Sequence, residues 1–423
     1  MMRVQRLQLG ELPDVSRQFP ADPTLERTVA EIIADVARRG DGALIESAQR
    51  FDTPSLGGLA VDDDELRQPV NDALEAALAL AAQRIRAFHD AQRAQLLGGG
   101  DAWNMPGSGI GQRLLPVKRA GIYVPGGRAT YPSSVLMNAI PALSAGVGEI
   151  VLTSPAAPEG RIAPILAAAL RHVPGVRAFK VGGAAAIAAM ALGTKSVPQC
   201  DVIAGPGNRY VNEAKRQLWG RVGLDGYAGP SEMALYLAPD SSVGWAAQDV
   251  LTQIEHAPDN AAYVVTSCDS TLLAFLSALD RALAVAPRRA VMTAALRDRS
   301  IAYLVKDRHH AVDCLNAIAP EHLTVTGEHA ERIAAKVSQA GCVLIGDYSA
   351  ESLGDYLAGP SHTLPTNGAA RWQSPVNVMT FLRFQSRLHV ESAELAPLAD
   401  AIITLAEAEG LPTHAEAIRA RFR

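Results

Sequence analysis

Residues 120–146 read AGIYVPGGRATYPSSVLMNAIPALSAG. A short apolar run with β-forming residues is followed by a glycine- and proline-rich turn, and then by a run rich in alanine and leucine, which is the pattern of a strand followed by a helix. The same pattern begins again at EIVLTS (149–154), AFKVGG (178–183) and CDVIAG (200–205). Four successive units of this kind predict a parallel sheet of the α/β class.

A second series of β-rich runs follows, again separated by helical sequence. Its members are MALYLAP (233–239), AAYVVTS (261–267), IAYLVKD (301–307), HLTVTG (322–327) and GCVLIGD (341–347). We therefore predict an α/β fold with two tandem, incomplete Rossmann-like domains. The predicted parts are an N-terminal segment (1–23), a first α/β domain (24–120 and 233–375), a second α/β domain (121–232) and a helical C-terminal segment (376–423).

The regions outside these series are predicted to be helical. Residues 24–52 have helical periodicity with a break at RRGDG, and residues 62–92 form one long helical stretch. Glycine-rich breaks follow at 98–100 and 107–111. The last 50 or so residues are expected to be mainly helical, without a final strand.

Composition and charge indicate the class of protein. The chain has 423 residues, 48% of them hydrophobic and 20% charged, which is typical of a multidomain soluble protein. Its formal charge of −5 gives no reason to expect nucleic acid or an acidic membrane as a partner. The four cysteines have no C-x-x-C spacing, the N-terminus lacks the apolar core of a secretory signal, and no run of about 18 apolar residues occurs. We expect a cytoplasmic protein with reduced thiols.

Three predicted strand ends carry glycine: VPGGR (124–128), VGGAA (181–185) and GPGN (205–208). Glycine there lets backbone N–H groups approach an anion outside the carboxyl ends of parallel strands. Strand-to-helix turns also need glycine when nothing binds, and no G-x-G-x-x-G fingerprint is present. Three such loops together favour a nucleotide or another anion. Tyr123 offers a ring and hydroxyl to it, and Asn208 a side-chain amide.

Polar residues gather near other element ends. VLTQIEHAPDN (250–260) places Gln253 and His256 three apart, on one helix face. APEHLTV supplies an adjacent acid and base, Glu321 and His322. The remaining candidates are Asp355 and His362 in ESLGDYLAGPSHTLPT, and Glu409 and His414 in EGLPTHAEA.

Amide oxygen, imidazole and carboxylate suit zinc, so Gln253, His256, Asp355 and His414 could hold a zinc ion, leaving Glu321 and His322 for acid–base chemistry. Structural roles stay open from these residues alone. His256 could end a helix, His322 could lie in a capped turn, and Asp355 could accept backbone N–H groups.

The ordered motifs extend this interpretation. The chain resembles the histidinol dehydrogenase family over nearly its whole length, through GIYVPGG, YPSSVLMNAIPA, GPGNRYVNEAKRQ, AGPSE, QIEHAPDN, APEHL, GDYLAGPSHTLPT and THAEA. The resemblance implies oxidation of L-histidinol to L-histidine through the aldehyde, with two NAD and bound zinc. It also implies an intertwined homodimer in which the C-terminal segment completes the partner's active site.

The resemblance also implies residue roles. Zinc ligands fall on Gln253, His256, Asp355 and His414, and the acid–base pair on Glu321 and His322. NAD contacts fall on Tyr123 and Asn208. Substrate contacts fall on Ser231, Gln253, His256, Glu321, Asp355, His362, Glu409 and His414.

Two positions depart from the family pattern. Ala185 stands in GGAAAIA where the family commonly has a glutamine that contacts the cofactor, so a polar contact to NAD is lost. Tyr227 stands near Ser231 where many members have proline. Three alternatives stay open: a relative that oxidises another polar alcohol such as a sulfonated diol, a zinc hydrolase in which Glu321 activates water, and an inactive binding or scaffold protein.

Overall fold

The computed structural model describes residues 2–15, 22–98, 100–126, 130–226 and 229–423. The chain forms two compact units. The first consists of Met1–Gln92 and Val117–Phe381, and the second of Arg93–Pro116 and Leu382–Arg423. The domain boundaries at 23, 120, 232 and 375 stay a prediction.

The first unit contains a five-stranded, wholly parallel sheet. Its strands, in spatial order, are β6 (Val176–Lys180), β5 (Glu149–Ser154), β4 (Arg119–Tyr123), β7 (Val202–Ala204) and β8 (Gly223–Leu224). Counted along the chain, this is the order 3-2-1-4-5, in which the strand order reverses between β4 and β7. Such a switch point opens a crevice at the carboxyl ends of the two strands.

The first unit also contains a six-stranded, wholly parallel sheet. Its strands, in spatial order, are β1 (Arg3–Arg6), β11 (Ile301–Leu304), β10 (Ala261–Thr266), β9 (Glu232–Tyr236), β12 (His322–Val325) and β13 (Cys342–Ile345). Apart from β1, the order is again 3-2-1-4-5, with its switch point between β9 and β12. The prediction of an α/β fold with parallel sheets is confirmed.

Fourteen helices of the described chain begin in the first unit. They are α1 (Pro23–Arg39), α2 (Asp41–Phe51), α3 (Asp63–Leu66), α4 (Asp72–Leu97), α5 (Pro132–Ala145), α6 (Pro164–Arg171), α7 (Gly183–Leu192), α8 (Arg209–Leu218), α9 (Val243–Ile254), α10 (Asp269–Val285), α11 (Arg289–Asp298), α12 (Arg308–Ile318), α13 (Ala330–Ala334) and α14 (Glu351–Tyr356). The single long helix expected over 62–92 is instead two helices, because Pro69 lies between α3 and α4 and disfavours helix at the residue before it.

Apolar cores cover the parallel sheets, as strands of this kind require. Helices α1, α2 and α7 supply Val29, Leu44 and Ile187 to the core of the five-stranded sheet. Helices α9, α10 and α11 pack in one core of the six-stranded sheet, while α12 and α13 pack in another. None of the helices in the described ranges is long and apolar enough to cross a membrane.

The second unit contains a three-stranded antiparallel sheet in the order β14 (Leu382–Leu388), β3 (Ile110–Pro116), β2 (Ala102–Asn104). Its helices are α15 (Ser392–Leu395), α16 (Ala399–Ala408) and α17 (Pro412–Arg419). Two expectations are corrected here. Residues 382–388 form a strand within the segment expected to be helical, and the glycine-rich region near 100–111 contains strands. The β14–β3 pairing joins segments about 270 residues apart, which local patterns do not reveal.

Candidate active site

The acid–base pair lies at the amino ends of the strands in the six-stranded sheet. His322 begins β12, and Glu232 begins the neighbouring strand β9. Helix α9 runs back from the carboxyl end of β9 to the start of β10, so Gln253 in its last turn comes to the same edge. Topology thus brings together residues that are far apart in sequence.

Glu321 is buried, with 6% of its surface exposed. Its Oε2 accepts the backbone N–H of Glu232 at 2.9 Å, and the Ser231 hydroxyl donates to the same carboxyl group. Burial raises the pKa of Glu321 well above its ordinary value, and the nearby Glu232 and Asp355 carboxylates add to that rise, against the effect of the Glu232 N–H. Burial therefore disfavours the ionised form of this carboxyl group when no positive charge lies near it.

His322 is equally buried, with 5% exposed. Burial lowers its pKa to about 3, helped by the neighbouring His362 and His256. The imidazole is therefore neutral near pH 7. Its Nδ1 has no hydrogen-bond partner among the described residues, and its Nε2 lies 4.0 Å from Asp355 Oδ1. A buried, neutral imidazole with an unused nitrogen is suited to accept a proton.

His362 is held in one tautomer. Its Nδ1 lies 3.0 Å from the backbone carbonyl oxygen of Asp355, which can only accept, so Nδ1 carries the proton. Nε2 is then an acceptor, and the Ser134 hydroxyl donates to it at 3.1 Å. Burial lowers the pKa of His362 to about 4 and raises the pKa of Asp355 to about 6.

Gln253 and Glu351 form a second buried pair, 2% and 1% exposed. The Gln253 amide lies between the N–H of Glu232 and the carboxyl group of Glu351. Only one amide orientation satisfies both neighbours: the oxygen accepts from Glu232 N at 2.9 Å, and the nitrogen donates to Glu351 Oε1. Glu351 begins α14, one turn before Asp355, so both point from the same helix face.

The predicted substrate and metal residues are therefore partly brought together. Ser231, Gln253, Glu321, His322, Asp355 and His362 share the amino edge. His256 lies just beyond α9 and is exposed, close enough to affect the pKa of His322 and His362. Glu409, at the end of α16, and His414, in α17, are exposed residues of the second unit.

Sequence reasoning missed three members of this cluster: Ser134, Glu232 and Glu351. Glu351 alone had a local signal, because it stands four residues before Asp355 in ESLGD.

The donor chemistry fits zinc. Amide oxygen, imidazole nitrogen and carboxylate oxygen are its usual ligands beside thiolate. No cluster of three or more His, Cys, Asp or Glu side chains that could hold a metal exists within the described residues. The predicted ligand set does not require such a cluster within the first unit. Only His256 and Asp355 of that set are of these residue types there, Gln253 is an amide, and His414 belongs to the second unit.

The predicted cofactor residues flank the switch point of the five-stranded sheet. Tyr123 ends β4, is 2% exposed, and its hydroxyl accepts the N–H of Gly183 at 3.2 Å. Asn208 caps α8, where its Oδ1 accepts the N–H groups of Tyr210 and Val211. Asn208 is exposed, and neither capping bond uses its amide nitrogen.

The glycine loops differ in how their N–H groups are used. In VGGAA, the N–H of Gly182 donates to the Asp52 carboxylate and that of Gly183 to Tyr123. These two donors are therefore occupied within the protein. In GPGN, two side chains bond the backbone of Gly205. The Lys215 ammonium group donates to its carbonyl oxygen at 2.6 Å, and the Asp225 carboxylate accepts its N–H at 2.7 Å. Residues 127 and 128 of VPGGR, and Tyr227, lie outside the described residues.

A buried acid–base pair on one parallel sheet and glycine loops at the switch point of another define an α/β enzyme. The histidinol dehydrogenase family model matches residues 16–422. Histidinol dehydrogenase of Cupriavidus pinatubonensis (strain JMP 134 / LMG 1197) is 42% identical over 414 residues, covering 95% of this chain and 92% of that protein. The Acinetobacter baylyi (strain ATCC 33305 / BD413 / ADP1) histidinol dehydrogenase is 40% identical over 409 residues, covering 95% and 94%.

A solved structure agrees. The crystal structure of histidinol dehydrogenase from Elizabethkingia anophelis has a TM-score of 0.90 and 31% identity, covering 100% of this chain and 98% of that one. The chain belongs to the histidinol dehydrogenase family and is an oxidoreductase.

Proposed function

We propose that this chain oxidises L-histidinol to L-histidine through L-histidinal, consuming two NAD and one water molecule, in the final steps of histidine biosynthesis. Family membership supports the proposal. The observation that carries it is the buried Glu321–His322 pair, which stands beside Ser231 and Asp355 at one sheet edge. Alcohol oxidation needs such a base for the hydroxyl proton, together with a nicotinamide for the hydride.

His322 is the proposed base for the alcohol step. Its neutral imidazole can take the hydroxyl proton, and the Asp355 carboxylate 4.0 Å away then stabilises the imidazolium. The buried edge also keeps bulk water away from the reacting carbon.

Glu321 is the proposed base for the second oxidation, in which water attacks the bound aldehyde. Its raised pKa favours the protonated form, and the positive charge of the oxidised nicotinamide would lower that pKa. Glu321 therefore becomes a base when the ligands have arrived.

Zinc would be held by Gln253, His256, Asp355 and His414. Bound there, zinc would supply a template for the nitrogen donors of the substrate and would so orient its alcohol. Ser231, His362 and Glu409 would contact the same substrate. NAD would bind at the switch point beside Tyr123 and Asn208.

We further propose a homodimer, with a second copy of the chain covering the second unit. That unit has few buried apolar residues but exposes large ones, including Trp103 (57%), Leu388 (72%) and Leu405 (65%). A unit of this size is only marginally stable by itself, so burying these side chains against a partner would add to its stability. In the dimer, its C-terminal segment would bring Glu409 and His414 to the partner's active site.

The dimer is tested by sedimentation and by mixing variants. We expect twice the chain mass of 44.6 kDa. His322→Asn and His414→Asn homodimers should each be inactive, and refolding them together should restore activity, because one site of each mixed dimer is then intact. A monomer, or no recovery in mixed dimers, would contradict the shared site.

We also propose a cytoplasmic location. The four cysteines are free thiols, which supports this location.

The function is tested by stoichiometry. Zinc-loaded protein is incubated with limiting L-histidinol and excess NAD, and the NADH formed per substrate is counted. Two NADH with histidine as product is the expected result. One NADH would mean that the reaction stops at the aldehyde, and none would contradict the proposal and direct the assay to other polar alcohols, including sulfonated diols.

A further inference from the structure

Glu351 has no assigned role, although it is among the most deeply buried carboxyl groups of the described chain. It is 1% exposed, and its Oε2 has no hydrogen-bond partner in the described residues. A buried carboxyl group with one unused oxygen costs stability, so its retention calls for a compensating role. Its other oxygen, Oε1, meets the amide of Gln253.

The contact fixes which atom Gln253 presents. At one end the amide meets the N–H of Glu232, a donor, and at the other it meets Glu351 Oε1, an acceptor. An amide carries one accepting and one donating end, so these two neighbours select a single orientation. The oxygen then uses one lone pair on the Glu232 N–H and keeps the second for a cation.

The same backbone N–H joins this amide to the acid–base pair. Glu232 N–H also donates to Glu321 Oε2, at 2.9 Å. Because the two groups share this donor, a shift of the Gln253 amide would change the hydrogen bond that Glu321 accepts. Helix α14 adds a second link, because Glu351 and Asp355 lie one turn apart on it.

We infer that Glu351 is a positioning residue, which holds the Gln253 side chain with its oxygen turned toward the cation site. The inference rests on the proposed function, in which Gln253 is a zinc ligand. Groups that orient metal ligands in this way typically contribute 10- to 100-fold to metal affinity. The accepting oxygen, and not the charge of the carboxyl group, is the feature that matters here.

The test measures zinc binding by the full-length protein, with Zn²⁺ alone as the ligand, in competition with a chelator of known affinity. Glu351→Met removes the accepting oxygen at similar volume, and Glu351→Gln keeps it. We expect the Met variant to raise the zinc Kd about 10- to 100-fold and the Gln variant to stay close to the wild type. The zinc-dependent rise in melting temperature should shrink in the Met variant alone.

Equal zinc Kd values in the Met and Gln variants would overturn the inference, because the accepting oxygen would then make no difference. If the Met variant does not fold, Glu351→Asp, which withdraws the oxygen by one methylene, is compared with Glu351→Gln by the same criterion. Wild-type protein that binds no zinc would overturn the proposed function and this inference with it, a result distinct from equal binding by the two variants.

Discussion

The two parallel sheets of the first unit share the strand order 3-2-1-4-5, yet they present their polar groups at opposite ends. In the five-stranded sheet, glycine loops and Asn208 lie at the carboxyl ends, around the switch point between β4 and β7. In the six-stranded sheet, Glu321 and His322 lie at the amino end of β12.

At the carboxyl ends of the six-stranded sheet, two aspartates accept backbone N–H groups of the loop after β12. Asp240 accepts the N–H of Glu328 at 2.7 Å, and Asp347 accepts that of Gly327 at 3.1 Å. The N–H groups of Gly327 and Glu328 are therefore already used, and the two carboxylates would repel an anion. In the five-stranded sheet, Asp52 and Asp225 likewise accept glycine N–H groups, but the Lys215 ammonium group lies 2.7 Å from Asp225 and offsets its charge. Topology creates a crevice at each switch point, but the side chains there determine whether a nucleotide can use it.

The largest expected effect is at the amino edge. His322→Asn should lower kcat for histidinol oxidation about 10²- to 10⁴-fold, because the base for the hydroxyl proton is lost. The measurement is steady-state NADH formation at saturating NAD. His310→Asn is the matched control, since His310 is also buried (2% exposed) but bonds the Glu11 carbonyl away from the site. Similar losses in both variants would contradict a catalytic role for His322.

Glu321→Gln should separate the two oxidations. We expect histidinol oxidation to be spared and histidinal oxidation to be slowed about 10²-fold or more, because only the second step needs an activated water. Single-turnover reactions started from each substrate measure the two steps. Equal losses in both would show that Glu321 does not act in the second step alone.

A pair of glycine variants tests the difference between the sheets. Gly205 has φ +120°, and a Cβ there would lie 2.0 Å from the Tyr123 carbonyl oxygen, so Gly205→Ala should distort the proposed NAD loop. Strain of about 1–3 kcal/mol corresponds to a roughly 5- to 150-fold rise in the Kd for NAD.

Gly327→Ala is the matched change in the other sheet. Gly327 has φ +88°, and a Cβ would lie 2.6 Å from Asp240 Oδ1. This variant should lower the melting temperature and leave the Kd for NAD unchanged, as measured by calorimetry. An NAD affinity that depends more on Gly327 than on Gly205 would reverse the assignment of the two crevices.

The smallest expected effect is at Ala185, in the first turn of α7. Ala185→Gln should restore a hydrogen bond to NAD worth about 0.5–1.5 kcal/mol, a roughly 2- to 12-fold tighter Kd. Ala186→Gln is the control, because Ala186 is the next residue of the same helix and is equally buried (0% exposed, against 1% for Ala185), so both variants share the packing cost and only Ala185→Gln should add the bond to NAD. No tightening in Ala185→Gln would mean that the cofactor does not reach this helix.

Nine of the eleven strands in the parallel sheets were predictable from the sequence, because they are short apolar runs that are largely buried. Each of the nine β-rich runs, from AGIYV to GCVLIGD, contains one of these strands. Strands β1, β2, β3, β8 and β14 were missed, since they are short or exposed and lack a continuous apolar run. The pairing of β14 with β3 also depends on contacts between distant segments.

The sequence pointed to most of the polar residues that lie together at the amino edge, but not to their geometry, and their roles stay a prediction. Motifs pointed to Gln253, Glu321, His322, Asp355 and His362, and the structure places these together. That they meet at the amino edge follows from pairing of β9 with β12, 89 residues apart at Glu232 and Glu321. The contributions of Glu409 and His414 stay a prediction.

Hydrogen exchange with and without NAD shows which of the two crevices binds the nucleotide. We expect NAD to slow exchange in the loops after β4 and β7, including Gly207 and Asn208, and to leave the loops after β9 and β12 unchanged. Protection at Asp240 and Gly327, with none at Gly207 and Asn208, would contradict this expectation.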